Sequence, residues 1–153
     1  MIHFVGAGPG AADLITMRGH QLLTEADVII YAGSLVNPEL LQYAKASCSI
    51  YNSASMTLEE VIDVMKQAEE KNQMTVRLHT GDPSLYGAIR EQMDQLDAYN
   101  ITYDVVPGVS SFCGAAAALK AEYTLPNVSQ SVIITRMAGR TPVPEKEEIA
   151  LLA

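Results

Sequence analysis

Apolar and polar positions follow one another along the chain in a pattern that predicts strands and helices in turn. Short apolar runs rich in β-branched and aromatic residues end near Gly, Pro or Ser, as buried strands commonly do. Five runs fit this pattern, at 2–5, 28–31, 74–78, 103–106 and 132–135, and a weaker run lies at 47–51.

Segments of helical spacing lie between these runs, and some have recognisable ends. The Asn-Pro-Glu sequence at 37–39 places an N-cap residue, a proline and an acid at a helix start. Thr57 and Glu60 form a capping box ahead of apolar residues at helical spacing. Apolar residues within 85–96 also repeat near the helical period, and the Ala-rich segment 112–119 predicts a closely packed helix.

Strands and helices that alternate in this way indicate an α/β domain with a mostly parallel sheet and helices on both faces. We assign residues 1–118 to this domain. The pattern becomes polar near 119–130, and a helix predicted from Glu145 has barely two turns before the chain ends. We therefore interpret 119–153 as a linker and the truncated start of a second α/β domain, although a short C-terminal helix docked on the sheet is the alternative.

Composition and charge exclude several classes of protein. The 153 residues are 48% hydrophobic, which suffices for a core, and no run approaches the ~18 apolar residues of a membrane span. The N-terminus lacks the basic segment of a signal peptide, so we expect a cytoplasmic protein without a membrane partner. A net charge of −8 argues against nucleic-acid binding. Two cysteines form neither a disulfide framework nor a metal-ligand set.

Ligands of parallel α/β sheets bind beyond the carboxyl ends of the strands, which selects the loops at 6–12, 32–38, 80–87 and 107–111. The first loop partly matches the dinucleotide fingerprint, since glycines allow close approach of a ligand. The acid expected ~20 residues later is absent, because Ala32 stands there. A nicotinamide site is therefore disfavoured, whereas a tight turn without a ligand stays open.

The third loop, Gly81-Asp82-Pro83, has the composition of a turn, in which Gly81 allows amides and carbonyls to point outward. An ordinary strand-to-helix turn is the alternative. In the fourth loop, Ser110 and Ser111 stand at a helix start, where they either cap the helix or leave its amides to a ligand.

Other polar residues give weaker indications. His3 is interpreted as structural, and His79 as a residue that lines a pocket beside the third loop. Arg77, Arg136 and Arg140 are candidates for contact with substrate carboxylates. No set of catalytic side chains emerges, which fits a reaction that needs little acid–base help.

In combination, four motifs resemble the tetrapyrrole methylase family, in the family's order. They are Val5-Gly6-Ala7-Gly8-Pro9-Gly10, Leu14-Ile15-Thr16 with Arg18-Gly19, Gly81-Asp82-Pro83-Ser84-Leu85-Tyr86-Gly87 and Pro107-Gly108-Val109-Ser110-Ser111. Residues 31–38 are similar to the branch of the family that methylates precorrin-4 at ring carbon eleven in cobalamin synthesis. Residues 135–142 are similar to the start of that branch's second domain.

The resemblance implies a two-domain homodimeric enzyme with S-adenosylmethionine bound in the cleft between domains and no metal. The positions that match the family's cofactor contacts are Gly81, Asp82, Pro83, Tyr86, Ser110 and Ser111, with Pro9 close by. The implied substrate is a tetrapyrrole, a precorrin, and its candidate contacts are Gly6, Gly8, Gly10, Ser34 and Arg136. Because most of the second domain is missing, the chain alone is expected to be inactive.

Three alternatives stay open beside this hypothesis. One is a family member with another substrate, either another ring position or the modified histidine of an elongation factor. The others are a nicotinamide-dependent oxidoreductase and a non-catalytic interaction domain. For an isolated chain, the predicted strand at 132–135 would require a partner edge, which predicts pairing between chains or disorder.

Overall fold

The computed structural model of the chain describes residues 1–139 and 142–152, with the backbone alone at Ser34. These residues form two units, Met1–Ala118 and Leu119–Ala153, which we call the sheet unit and the C-terminal unit. Each unit is described by itself below.

The sheet unit is built on five parallel strands in the order β3-β2-β4-β1-β5, which confirms the predicted α/β class. The strands are β1 (Ile2–Gly6), β2 (Val28–Tyr31), β3 (Ser49–Asn52), β4 (Thr75–His79) and β5 (Tyr103–Val106). The helices are α1 (Met17–Glu25), α2 (Leu58–Glu70), α3 (Arg90–Ala98) and α4 (Ser111–Leu119), joined by 3₁₀ turns at Ala12–Leu14, Gly33–Leu35, Pro38–Tyr43 and Ser53–Ser55.

Successive side chains of the central strands enter two apolar layers, because extended backbone alternates its side chains between the faces of a sheet. Phe4 and Ile30 belong to the layer that contains α2 and α3. Val5 and Ile29 belong to the opposite layer, with α1 and the turn Pro38–Tyr43. All four side chains are fully buried, so helices cover both faces as predicted.

Thr57 begins α2 with the predicted capping box. Its hydroxyl accepts a hydrogen bond from the Glu60 amide at 3.2 Å, and the Glu60 carboxylate accepts one from the Thr57 amide at 2.8 Å. We expect Thr57→Ala to lower the free energy of unfolding by about 1 kcal/mol, because the Glu60 amide loses its acceptor. Urea denaturation followed by circular dichroism measures this loss. Thr102→Ala, in an exposed loop, is the control, and equal stabilities of the two variants would contradict the prediction.

The C-terminal unit differs from its prediction. Residues 132–135 form no β-ladder with any part of the chain that the structure describes, so the predicted strand is wrong. The apolar run is present, but a strand also requires a hydrogen-bonded neighbour. Val132, Ile133 and Ile134 remain 42–62% exposed. The helix predicted from Glu145 consists of a 3₁₀ turn, Glu145–Glu147, and the short helix α5 (Ile149–Leu152).

The Ala-rich helix α4 forms where it was predicted, but it is not closely packed on both sides, since none of its residues is buried. Its close contact is with the first loop. A Cβ atom added at Gly114 would lie 2.6 Å from the Cβ atom of Pro9. The small side of α4 therefore lies against the loop after β1.

Candidate functional site

Two of the predicted loops are joined by backbone hydrogen bonds at the carboxyl edge of the sheet. The Ala7 amide donates to the carbonyl of His79 at 2.7 Å, which continues the pairing of β1 with β4. Gly8 and Gly81 then form an antiparallel bridge, with N–O distances of 3.2 and 2.9 Å. Gly8 and Gly81 both have positive φ angles, of 80° and 59°, which glycine adopts readily. The first and third loops are thus one rigid element.

The fourth loop packs directly on this element through glycine backbones. A Cβ atom added at Gly108 would lie 2.1 Å from the Gly81 carbonyl oxygen and 2.8 Å from the Gly6 Cα atom. One added at Gly6 would lie 2.5 Å from the Gly108 Cα atom. Only residues without a side chain fit at Gly6 and Gly108, so their glycines are required by the contact between three loops.

Asp82 ties the third loop to the fourth with its carboxylate. One oxygen accepts from the Gly108 amide at 2.9 Å, and the other accepts from the Ser84 amide at 2.8 Å and from the Ser84 hydroxyl. Burial opposes ionisation, but these hydrogen bonds outweigh it, so the pKa of Asp82 lies below its ordinary value. Asp82 therefore holds the loops together as an anion.

The predicted cofactor residues collect around this junction. A Cβ atom at Gly81 would lie 3.6 Å from the amide nitrogen of Ser111, at the start of α4. Pro83 is buried, whereas Tyr86 is 61% exposed and has a positive φ angle of 57°. Exposed Ser111 and half-buried Ser110 thus lie beside the Gly81 turn, within one surface of backbone amides and carbonyls.

The second loop contacts the first through Asn37. Its side chain donates to the Gly10 carbonyl at 2.8 Å and accepts from the Glu39 amide at 3.0 Å, as the predicted N-cap of a helical turn. Ser34 lies in the turn Gly33–Leu35, but its side chain lies outside the described part of the structure.

The described residues of the four loops present backbone hydrogen-bonding groups, glycines and one carboxylate, that of Asp82, which is hydrogen-bonded within the loops. The model for the family described as Tetrapyrrole (Corrin/Porphyrin) Methylases matches residues 1–153. The chain belongs to the tetrapyrrole methylase family.

Known members of the family resemble this chain in sequence and in structure. The cobalt-precorrin-4 C(11)-methyltransferase of Methanocaldococcus jannaschii is 61% identical over 149 residues, which are 97% of this chain. An X-ray structure of a cobalt precorrin-4 methyltransferase matches with a TM-score of 0.95 at 47% identity, over 99% of this chain and 63% of that one. The chain spans 58% of the length of the Methanocaldococcus relative.

A third relative has been solved with a ligand. The structure of the uroporphyrin-III C-methyltransferase from Thermus thermophilus, complexed with S-adenosylhomocysteine, matches with a TM-score of 0.64 at 30% identity. The match covers 75% of this chain and 47% of that one.

One predicted substrate residue is found in the C-terminal unit. Arg136 belongs to the C-terminal unit, where its guanidinium donates to the carbonyls of Met137 and Pro142, the latter at 2.9 Å. Its contact with substrate therefore stays a prediction. Arg140 lies outside the described residues.

Two further predictions are wrong, because Arg77 and His79 both point into the apolar layer between the sheet and helices α2 and α3. Arg77 is 7% exposed and His79 is 4% exposed, so neither lines an open pocket. Burial, together with the charge of Arg77, lowers the pKa of His79 to about 3, so its ring is neutral at ordinary pH. His3 is structural as predicted, with Nδ1 at 2.7 Å from the Asp104 carboxylate.

Sequence reasoning missed Gln92, whose side chain is buried beneath the third loop. The helical pattern carried a signal that could have found it: Gln92 lies three residues after Ile89 and four before Leu96, on the apolar face, whereas Gln95 on the same helix is exposed. Among residues 1–139 and 142–152, no group of three His, Cys, Asp or Glu side chains could hold a metal ion. Within the same residues no helix has both the length and the apolar character needed to cross a bilayer.

Proposed function

We propose that the protein to which this chain belongs transfers a methyl group from S-adenosylmethionine to ring carbon eleven of cobalt-precorrin-4 or precorrin-4, in cobalamin biosynthesis. The observation that carries this proposal is the TM-score of 0.95 to a cobalt precorrin-4 methyltransferase. The match covers 99% of this chain and so includes the first, third and fourth loops, which pack together at the edge of the sheet. The 61% identity to the Methanocaldococcus relative supports the ring position.

The third loop is proposed to bind the methyl donor through its backbone. We call residues 81–88 the donor loop. Asp82 shapes this loop through the hydrogen bonds that its carboxylate accepts from Ser84 and Gly108, and it stays in the proposed set of donor contacts. Gly81, Pro83 and Tyr86 then offer the contact surface.

The remaining donor contacts come from the elements beside this loop. Ser110 and Ser111 lie at the start of α4, and Pro9 contacts the same helix at Gly114. The start of a helix leaves backbone amides without intrahelical partners, and these suit the polar parts of a nucleoside or a carboxylate.

The tetrapyrrole is proposed to bind on the first and second loops. Gly6 and Gly8 are buried in the junction and set the loop's path, whereas Gly10 is exposed. Asn37 fixes the Gly10 carbonyl, so the loop presents a rigid surface. Ser34 and Arg136 complete the proposed set of substrate contacts.

Methyl transfer suits a site without an acid–base set. S-adenosylmethionine supplies a methyl group on a sulfonium. An electron-rich ring carbon would bond to this methyl group in one displacement, with S-adenosylhomocysteine as the leaving group. The residues of the site then need chiefly to align donor and acceptor, and such alignment is worth roughly 7–11 kcal/mol in well-oriented pairs. The junction of rigid loops provides that alignment.

A homodimer in the cytoplasm is part of the same proposal. The C-terminal unit exposes several large apolar side chains, which is typical of surfaces that are covered in the complete assembly. They are Leu119, Val128, Ile133, Met137 and Leu151, each 62–78% exposed.

Calorimetric titration with S-adenosylhomocysteine tests the proposed function. The chain is compared with an extended protein, in which it continues through the C-terminal part of the Methanocaldococcus relative. We expect the extended protein to bind and the chain alone to bind weakly, because the family resemblance puts the ligand between two domains. Absence of binding by both proteins would contradict the proposal. Binding of equal strength would show that residues 1–153 hold the donor without the added part.

A further inference from the structure

A buried polar chain crosses the layer beneath the donor loop. Arg77 on β4 donates from Nε to the Gln92 side-chain oxygen at 3.0 Å, and from Nη1 to the Ile30 carbonyl at 3.2 Å. Gln92 on α3 in turn donates from Nε2 to the Ala88 carbonyl at 3.1 Å. The chain thus connects two central strands to the last residue of the donor loop.

Burying Arg77 in this row of hydrogen-bonded side chains costs desolvation free energy, which points to a role beyond stability. Arg77 is 7% exposed and pairs with no carboxylate among the described residues. Burial lowers its pKa to about 10, so the guanidinium still carries its charge at neutral pH. A buried charge with neutral partners is rarely the most stable choice, since an apolar side chain of similar volume fills the space without desolvation.

The loop end that receives the hydrogen bond has an unfavourable backbone. Tyr86 and Ala88 have φ angles of 57° and 50°, a left-handed region that side chains disfavour. Between them, a Cβ atom at Gly87 would lie 2.2 Å from the Pro83 carbonyl oxygen. Such a conformation persists only where surrounding contacts hold it in place, and it is common at ligand sites.

We propose that Gln92 is a positioning residue for the methyl-donor site, oriented by Arg77 so that its amide holds the left-handed turn at Ala88. The conformation at Ala88 then sets the orientation of the Tyr86 side chain and the path of the backbone from Gly81 to Pro83. Gln92 touches neither donor nor acceptor in this arrangement and acts through the loop. The inference rests on the proposed function.

Gln92→Glu separates the two hydrogen bonds of Gln92. The glutamate carboxylate still accepts a hydrogen bond from Arg77, and its negative charge is opposite to that of the guanidinium. It has no N–H group, so it can no longer donate to the Ala88 carbonyl. We expect the unfolding midpoint of the extended protein to be unchanged or higher. We expect the Kd for S-adenosylhomocysteine and the KM for S-adenosylmethionine to rise about tenfold, with kcat changed by less than about twofold, because one orienting hydrogen bond of the loop is lost.

Gln95→Glu is the matched control, since it makes the same substitution on the exposed face of α3. It should leave both constants at the wild-type values. A Kd in Gln92→Glu within about twofold of wild type would overturn the inference, as would an equal loss in Gln95→Glu. If the wild-type extended protein itself binds no S-adenosylhomocysteine, the proposed function fails instead, and that outcome is seen before any variant is compared.

Discussion

Replacing Gly108 with alanine is expected to lower the free energy of unfolding of the sheet unit by about 3 kcal/mol and to abolish binding of S-adenosylhomocysteine. The added Cβ atom would lie 2.1 Å from the Gly81 carbonyl oxygen and 2.8 Å from the Gly6 Cα atom. The three nearest atoms all belong to the backbone, so the clash cannot be relieved by rotation of a side chain. The strain must move one of the three loops.

The hydrogen bonds around Gly108 make that movement costly. Gly81 is bonded to Gly8 in both directions, and the Gly108 amide is held by Asp82. Shifting Gly108 therefore breaks a charge-assisted hydrogen bond, and shifting Gly81 breaks the bridge between the first and third loops. Either movement alters the proposed donor surface as well as the fold.

Urea denaturation and calorimetry of Gly108→Ala measure the two effects. Gly139→Ala is the control, because no described atom beyond its chain neighbours lies within 4 Å of a Cβ atom added at Gly139. Its stability should match that of the wild type. Gly108→Ala with wild-type stability and wild-type affinity would show that the three loops do not pack through their glycines.

Much of the fold could be predicted because the determining signals are local. The central strands are short apolar runs with turn residues at their ends, and the structure places β2 and β5 at the predicted residues and β4 one residue later, at Thr75–His79. The capping box at Thr57 is likewise read from neighbouring residues. The weak run at 47–51 became the edge strand β3, whose residues are all exposed, which explains why its apolar pattern is faint.

The site's internal contacts could not be predicted, because they depend on which strands become neighbours. Gly6 meets Gly108 and Gly81 only because β1 lies between β4 and β5 in the sheet. Asp82 reaches an amide 26 residues away for the same reason. A single sequence shows that these residues occur in turns, but not that the turns touch.

The mistaken interpretation of Arg77 has the same origin. Arg77 was a candidate for contact with a substrate carboxylate, whereas the register opposite Phe4 and Ile30 directs its side chain into the layer covered by α3. The acceptor there is Gln92, on a different element. The sequence shows which residues of a strand share a face, because successive side chains alternate between the two faces. It does not show which helix covers each face, since that depends on the whole fold.

Asp82→Asn is expected to lower the free energy of unfolding by about 2 kcal/mol at neutral pH. The substitution replaces one charged carboxylate oxygen by a neutral amide oxygen and the other by an NH₂ group, which cannot accept from the Gly108 amide. The asparagine oxygen can keep the bonds from Ser84. Its NH₂ group then faces the Gly108 amide, which loses its acceptor. We expect the affinity for S-adenosylhomocysteine to fall as well, because the third and fourth loops are no longer tied.

The pH dependence of stability provides an independent check of the same carboxylate. The pKa of Asp82 is lowered by folding, so its contribution is present in full above the unfolded-state value of about 3.9 and is lost as the pH falls through the lower folded-state value. The stability difference between wild type and Asp82→Asn should therefore stay constant at neutral and mildly acidic pH, and shrink as the pH falls below the unfolded-state value of about 3.9. Asp13→Asn is the control, since it makes the same substitution at an exposed aspartate in the turn Ala12–Leu14. A difference between wild type and Asp82→Asn that is constant with pH would mean that the charge of Asp82 does not hold the loops together, and that its shape alone does.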